Sequence, residues 1–205
     1  MGAGILPTTI HNNKLYFLFG KENKFADTPG WAEFGGGSEG TETLLKTAIR
    51  EGTEEITGFL GSADDLERKM KKTGTFNIDW NTYRTHILPM EYDELLPFYY
   101  NNNQRFLQKR LDPKIIEKSK IFEKAEIRWF SIDEIKKRKV PFRSYYYNIA
   151  DLLIKNELAI NKFVSSKLQV KKNNTMKKHG NVTKKIYTNK NKTKSRKQRI
   201  FSFLW

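Results

Sequence analysis

Residues 36–58 read GGSEGTETLLKTAIREGTEEITG and constrain the chain more than any other stretch. Laid on a helix at 100° per residue, Leu45, Ala48, Ile49, Gly52 and Ile56 form one stripe, which has to face a core. Glu51, Glu54 and Glu55 fall about 130° away on a second stripe. Carboxylates at i, i+3 and i+4 repel one another, weaken the helix and raise one another's pKa. Bound hard cations remove both costs, and Mg²⁺ is commonly held by one or two carboxylates together with substrate phosphates. The plain alternative is a solvated acidic helix.

The full spacing is G-x5-E-x7-R-E-x2-E-E, filled by Gly36, Glu42, Arg50, Glu51, Glu54 and Glu55. Six fixed letters coincide by chance on the order of once in 10⁷ starting positions. The pattern resembles the signature box of the Nudix hydrolases, enzymes that cleave nucleoside diphosphates linked to another moiety. The resemblance implies a Nudix-type α/β/α sandwich with a mixed β-sheet, and Mg²⁺ or Mn²⁺ as cofactor. It makes Glu54 and Glu55 the primary ligands and Glu51 a ligand or the base toward water. Arg50 would orient the glutamates through charge-assisted hydrogen bonds, and Glu42 would steady the corner before the helix. Gly35, Gly36 and Gly37 would present backbone N–H groups and the helix N-terminus to a pyrophosphate. Read alone, they make a flexible turn. The box departs from the family pattern at Gly52, where an apolar residue is usual, and at Gly58, which comes one residue late. The first predicts close packing against a strand, at up to about 1 kcal/mol relative to alanine. The second predicts a slightly longer helix with a glycine cap.

Ahead of the box, Ala3–Ile10 and Lys14–Gly20 flank a polar turn and read as a β-hairpin. Lys21–Gly30 reads as a charged loop and Trp31–Phe34 as a short strand. After it come a short helix capped by Ser62 and strands within Thr73–Trp80 and Tyr83–Tyr92. Asn101–Asn103 reads as a break before a short helix over Gln104–Leu111. Glu123–Ile135 resembles the closing strand of Nudix enzymes, in which a glutamate six residues before the Trp sits over the metals. That position is Glu123, with Glu126 as the competing choice. Trp129 and Phe130 read as packing. Arg143–Phe163 should be an amphipathic closing helix through Tyr145, Ile149, Leu152, Leu153 and Ile160.

Composition then separates two regions. The chain carries a net charge of +15, yet residues 158–205 hold 14 Lys and Arg and no acid, leaving 24 basic against 23 acidic residues in 1–157. The sequence predicts a hydrolase domain over 1–163 and a basic, disordered tail over 164–205. Lys184, Lys185, Lys194, Arg196, Lys197 and Arg199 are its candidate RNA contacts. Cysteine is absent, which agrees with a reducing compartment. No secretory signal and no apolar run near the ~18 residues of a membrane span is visible. The start lacks the Ser or Thr of a myristoylation site.

Gly4–Thr9, Trp31–Gly37 and Glu123–Ile135 resemble the mRNA-decapping Nudix enzymes of large DNA viruses, of the mimivirus and African swine fever virus kind. That likeness implies cleavage of the mRNA cap to methyl-GDP and 5′-monophosphate RNA, in host cytoplasm or virion, with no membrane or obligate protein partner. Trp31, Phe34, Trp80 and Tyr83 are the candidates for cap stacking. No additional helical RNA-binding structure is evident before the box. The main alternative is therefore a small-molecule Nudix enzyme acting on dinucleoside or diphosphoinositol polyphosphates. A non-catalytic RNA-binding protein is a third, opposed by the intact glutamates.

Overall fold

β1 (Gly2–His11) and β2 (Lys14–Glu22) form the expected hairpin. Asn12 and Asn13 turn it at φ 47° and 60°, the left-handed pair that a two-residue hairpin loop requires. The structure, a computed structural model, describes residues 1–24, 26–118 and 123–169. The tail's candidate RNA contacts, from Lys184 to Arg199, lie outside the described residues.

The two hairpin strands part beyond Thr8↔Phe17. There β4 (Phe34–Gly37) replaces β2 beside the first half of β1, in antiparallel register from Ile5↔Phe34 to Gly2↔Gly37. β3 (Trp31–Ala32) correspondingly joins β2 at Gly20 and Lys21. β6 (Tyr83–Pro89) runs parallel to β1 along its other edge, and β5 (Phe76–Trp80) pairs with β6. β7 (Lys124–Ser131) lies antiparallel to β2. Together they make a seven-stranded mixed sheet of order β3-β2-β1-β6-β5, with β4 on β1 and β7 on β2.

Strand alternation divides the apolar residues between two faces. On one face α1 (Leu44–Glu55) and α2 (Ala63–Thr73) cover Ala3, Ile5 and Leu88, while α3 (Leu95–Arg110) covers Leu18, Ile127 and Trp129. On the other, Phe19 packs edge-on against Phe142 and Tyr146. Tyr146 opens α6 (Tyr146–Lys155), and helix resumes over 157–169. α4 (Pro113–Lys118) and α5 (Ile132–Lys136) are short connectors. The expected α/β/α sandwich with a mixed sheet is the observed architecture. Ser62 caps α2 through a reciprocal box with Asp65, and Trp129 and Phe130 are buried.

Four local expectations need correction. Gly35–Gly37 is not a loop but strand β4, because its backbone is paired with Gly2–Gly4. α1 does not run long: it stops at Glu55, with Thr57 and Gly58 both left-handed at φ 50° and 76°. Asn101–Asn103 does not interrupt α3. Asn101 instead spends its amide on the backbone of β7, donating to Ile127 O at 3.1 Å and accepting from Ile127 N at 2.8 Å. The closing helix is divided at Asn156, whose N–H returns to Leu152 O.

Candidate active site

Gly52 lets α1 sit directly on β1: a Cβ there would lie 2.9 Å from Ile5 Cδ1. That contact fixes how closely the acidic side of the helix approaches the sheet. The absence of a side chain at Gly36 does the same for β4, since a Cβ there would fall 2.5 Å from Glu51 Oε1. The glycines of β4 therefore serve close approach between strand and helix.

Arg50 organises the carboxylates. Its Nε and Nη2 donate to Glu42 at 3.0 and 3.1 Å, a bidentate pair, while Nη1 donates to Glu51 at 2.8 Å and lies 3.5 Å from Glu54. Nη2 also donates to Gly37 O at 2.9 Å, tying α1 to the end of β4. Hydrogen bonding from Arg50, aided by the Glu39 N–H, holds the Glu42 carboxyl down at about 2. Thr47 Oγ1 completes the corner by donating to Glu42 at 3.1 Å.

Glu55 does not share that surface. It is 5% exposed and faces inward, accepting Gly35 N–H at 2.7 Å and lying 3.0 Å from Lys124 Nζ. Lys124 is fully buried and also contacts Glu22, which in turn pairs with Arg143 Nη1 at 2.8 Å. Burial pushes the Glu55 carboxyl up to about 8 against the pull of Lys124. Burial also disfavours the Lys124 ammonium, but Glu55 and Glu22 outweigh it and keep the lysine charged. Tyr100 of α3 closes the network, its hydroxyl donating to both Glu55 O and Lys124 O at 3.0 Å.

One cleft of about 420 Å³ gathers these groups. Among the described residues, Glu22, Asp27, Glu39, Glu51, Glu54, Glu55 and Glu123 line it, beside Arg50 and Arg143, with Gly35 and Gly36 on its wall. Glu123 is thus beside the box glutamates. Glu126 is not, and instead sits 3.8 Å from Lys21 on the rim of a neighbouring cavity. Of the stacking candidates, Trp31 and Phe34 are buried core residues, while Trp80 and Tyr83 are half-buried where β5 turns into β6.

Sequence reasoning missed Lys124, Glu22 and Arg143. Plain alternation from Glu126 and Arg128 would place Lys124 on their exposed face. The register slips between Lys21↔Glu126 and Glu22↔Lys124, and that bulge turns Lys124 inward. Arg143 offers no local pattern at all, since it reaches Glu22 across 121 positions of sequence.

Among the described residues, no three Asp, Glu or His side chains already converge as a metal cage. Glu51 is turned to Arg50 and Glu55 to Lys124. The donor chemistry nevertheless fits a hard divalent cation, because the described residues that line the cleft include seven carboxylates and two guanidinium groups.

No protein-family model and no curated protein matches the chain. Solved structures give distant likenesses. A Nudix hydrolase from M. smegmatis, RenU, is 17% identical with a TM-score of 0.47, covering 78% of this chain and 87% of that one. A C. elegans Ap4A hydrolase is 13% identical, also at 0.47, covering 78% and 98%. A MutT protein from Methanosarcina mazei is 13% identical at 0.38, covering 76% and 93%.

Proposed function

We propose that the chain is a metal-dependent Nudix-type hydrolase of a nucleotide phosphoanhydride, with the 5′ cap of mRNA as substrate and methyl-GDP and 5′-monophosphate RNA as products. The observation that carries this reading is the acid-lined cleft, which Glu51, Glu54 and Glu55 of one helix line together with Glu123. Glu51, Glu54, Glu55 and Glu123 would hold Mg²⁺ or Mn²⁺, which when bound supplies Lewis-acid charge and an acidified water. Arg50 keeps Glu51 and Glu54 on the cleft side of α1 through its hydrogen bonds. Glu42 anchors Arg50, and Arg143 also lines the cleft, held by Glu22 and Thr28, where its positive charge would favour a substrate phosphate. Gly35 N–H is already committed to Glu55 and Gly36 N–H faces Ala3 in the ladder with β1, so phosphate contact from that strand falls to Gly37. The basic tail supports a long polyanionic substrate, since Lys and Arg displace condensed counterions.

A second reading, hydrolysis of dinucleoside polyphosphates or diphosphoinositol polyphosphates, is favoured by the burial of Trp31 and Phe34. That leaves Trp80 and Tyr83 to stack on a cap. The cleft volume also suits a nucleotide-sized ligand. The test is turnover of cap-labelled RNA, free cap dinucleotide, a dinucleoside polyphosphate and a diphosphoinositol polyphosphate with Mg²⁺ or Mn²⁺. Methyl-GDP released from RNA alone supports decapping. Products from the small molecules with RNA untouched support the second reading.

A further inference from the structure

α3 is apolar on two sides. Leu96 and Tyr100 are buried in the core, as its inward face requires. Leu95, Phe98, Tyr99 and Phe106 are nevertheless 56–59% exposed. At 100° per residue they lie within about 100° of one another, away from the core. A cluster of large apolar side chains in water marks an interaction surface.

The charges on the same surface narrow the partner. Arg105, Lys109 and Arg110 are exposed and interleave with the rings, and the helix contains no acidic residue. Arg110 stands 5.8 Å from the Phe106 ring centroid, while Phe98 and Tyr99 meet edge-on at 5.4 Å. Interleaved ring faces and guanidinium groups suit unpaired bases joined by phosphates. A duplex would leave the rings unused, and an apolar protein face would leave three cations uncompensated.

The surface also connects to the cleft. Arg105 and Gln108 of α3 line a cavity of about 550 Å³ that shares Glu22 and Asn23 with the acidic cleft. We infer that the outer face of α3 binds single-stranded RNA leading away from the cleft. Phe98, Tyr99 and Phe106 stack bases, and Arg105, Lys109 and Arg110 meet phosphates. Phe98 to Phe106 spans about 12 Å of helix, the reach of about three stacked bases at ~3.4 Å each. The inference rests on the capped-RNA reading for what occupies the cleft, but the binding surface itself needs no turnover.

The test is fluorescence anisotropy of a labelled oligouridine with the full chain, in EDTA and over a salt series, beside thermal melting. The combined variant Phe98→Ala, Tyr99→Ala, Phe106→Ala should weaken binding roughly tenfold or more with the salt slope kept. Arg105→Gln, Lys109→Gln, Arg110→Gln together should lower that slope by about 2. Both should melt as the parent does. Parental affinity and slope in both variants would overturn the inference, as would equal loss on duplex RNA. So would an aromatic variant that only converts a dimer to a monomer. Wild-type turnover of capped RNA, measured in parallel, reports separately on the cleft.

Discussion

Glu54 and Glu55 are adjacent in sequence and opposite in environment. The Glu54 side chain is 60% exposed, with Arg50 at 3.5 Å. Glu54→Gln should therefore abolish turnover while leaving the melting temperature unchanged. Glu55→Gln should abolish turnover and also destabilise above pH 8, where the Glu55 carboxyl is ionised, because it leaves Lys124 buried with one carboxylate fewer; the scale for breaking a buried pair is about 3 kcal/mol. Urea denaturation of the two variants side by side separates these outcomes, and equal stability would contradict the burial of Glu55. Lys124→Met should cost more, about 4 kcal/mol, since Glu55 then loses its buried ammonium partner and Glu22 keeps only Arg143. The identities of Glu51, Glu54, Glu55 and Arg50 were legible from their spacing. Their division into one arginine-held pair and one lysine-held residue was not, because Lys124 is 69 positions away from Glu55 and is aimed inward by a bulge.

Among the elements, legibility followed how local the cause was. The β1–β2 hairpin rests on two left-handed asparagines and α2 on a reciprocal Ser62–Asp65 cap, so both could be read from a few neighbouring letters. α3 could not, because Asn101 looks like a helix breaker until β7 is there to receive its amide. β4 looks like a loop in sequence for the same reason: Gly35–Gly37 becomes strand only through pairing with Gly2–Gly4. Gly52 was readable in kind, and its magnitude can be tested. Alanine would gain up to about 1 kcal/mol of helix propensity, but its Cβ would press on fully buried Ile5, where overpacking costs typically 1–3 kcal/mol. Gly52→Ala should lower stability by roughly 1 kcal/mol, and adding Ile5→Val should restore part of it. A stabilised single variant, measured by chemical denaturation, would show that α1 is not seated against β1 as described.

At the scale of the molecule, two buried groups away from the cleft set opposing pH slopes. Glu33 is 2% exposed on the face covered by α6, accepting from Thr85 and Tyr146 at 3.0 Å each. Burial raises its carboxyl from 4.5 to about 7 despite those hydrogen bonds. The folded state thus binds its proton more tightly than the unfolded state, and stability falls as pH rises from 4.5 to 7. Burial pulls His86 the other way, from 6.5 to about 4. Here the unfolded state binds the extra proton, so stability rises with pH between 4 and 6.5. Glu55, raised to about 8, lowers stability together with Glu33 over the same range. Relative to the parent, Glu33→Gln should therefore gain stability progressively from pH 4.5 to 7, by about 3 kcal/mol. A variant profile superimposable on the parent's would place Glu33 outside the buried cluster.

If the carboxylates of α1 drive metal-dependent cleavage of a phosphoanhydride, the released products will show it. Purified protein should be incubated with Mg²⁺ or Mn²⁺ and cap-labelled RNA or free cap dinucleotide, beside Glu54→Gln. Methyl-GDP is expected from the parent, none from the variant and none in EDTA. Equal release by parent and variant, or no phosphoanhydride cleavage with either metal on any of the four substrate types named above, would contradict it.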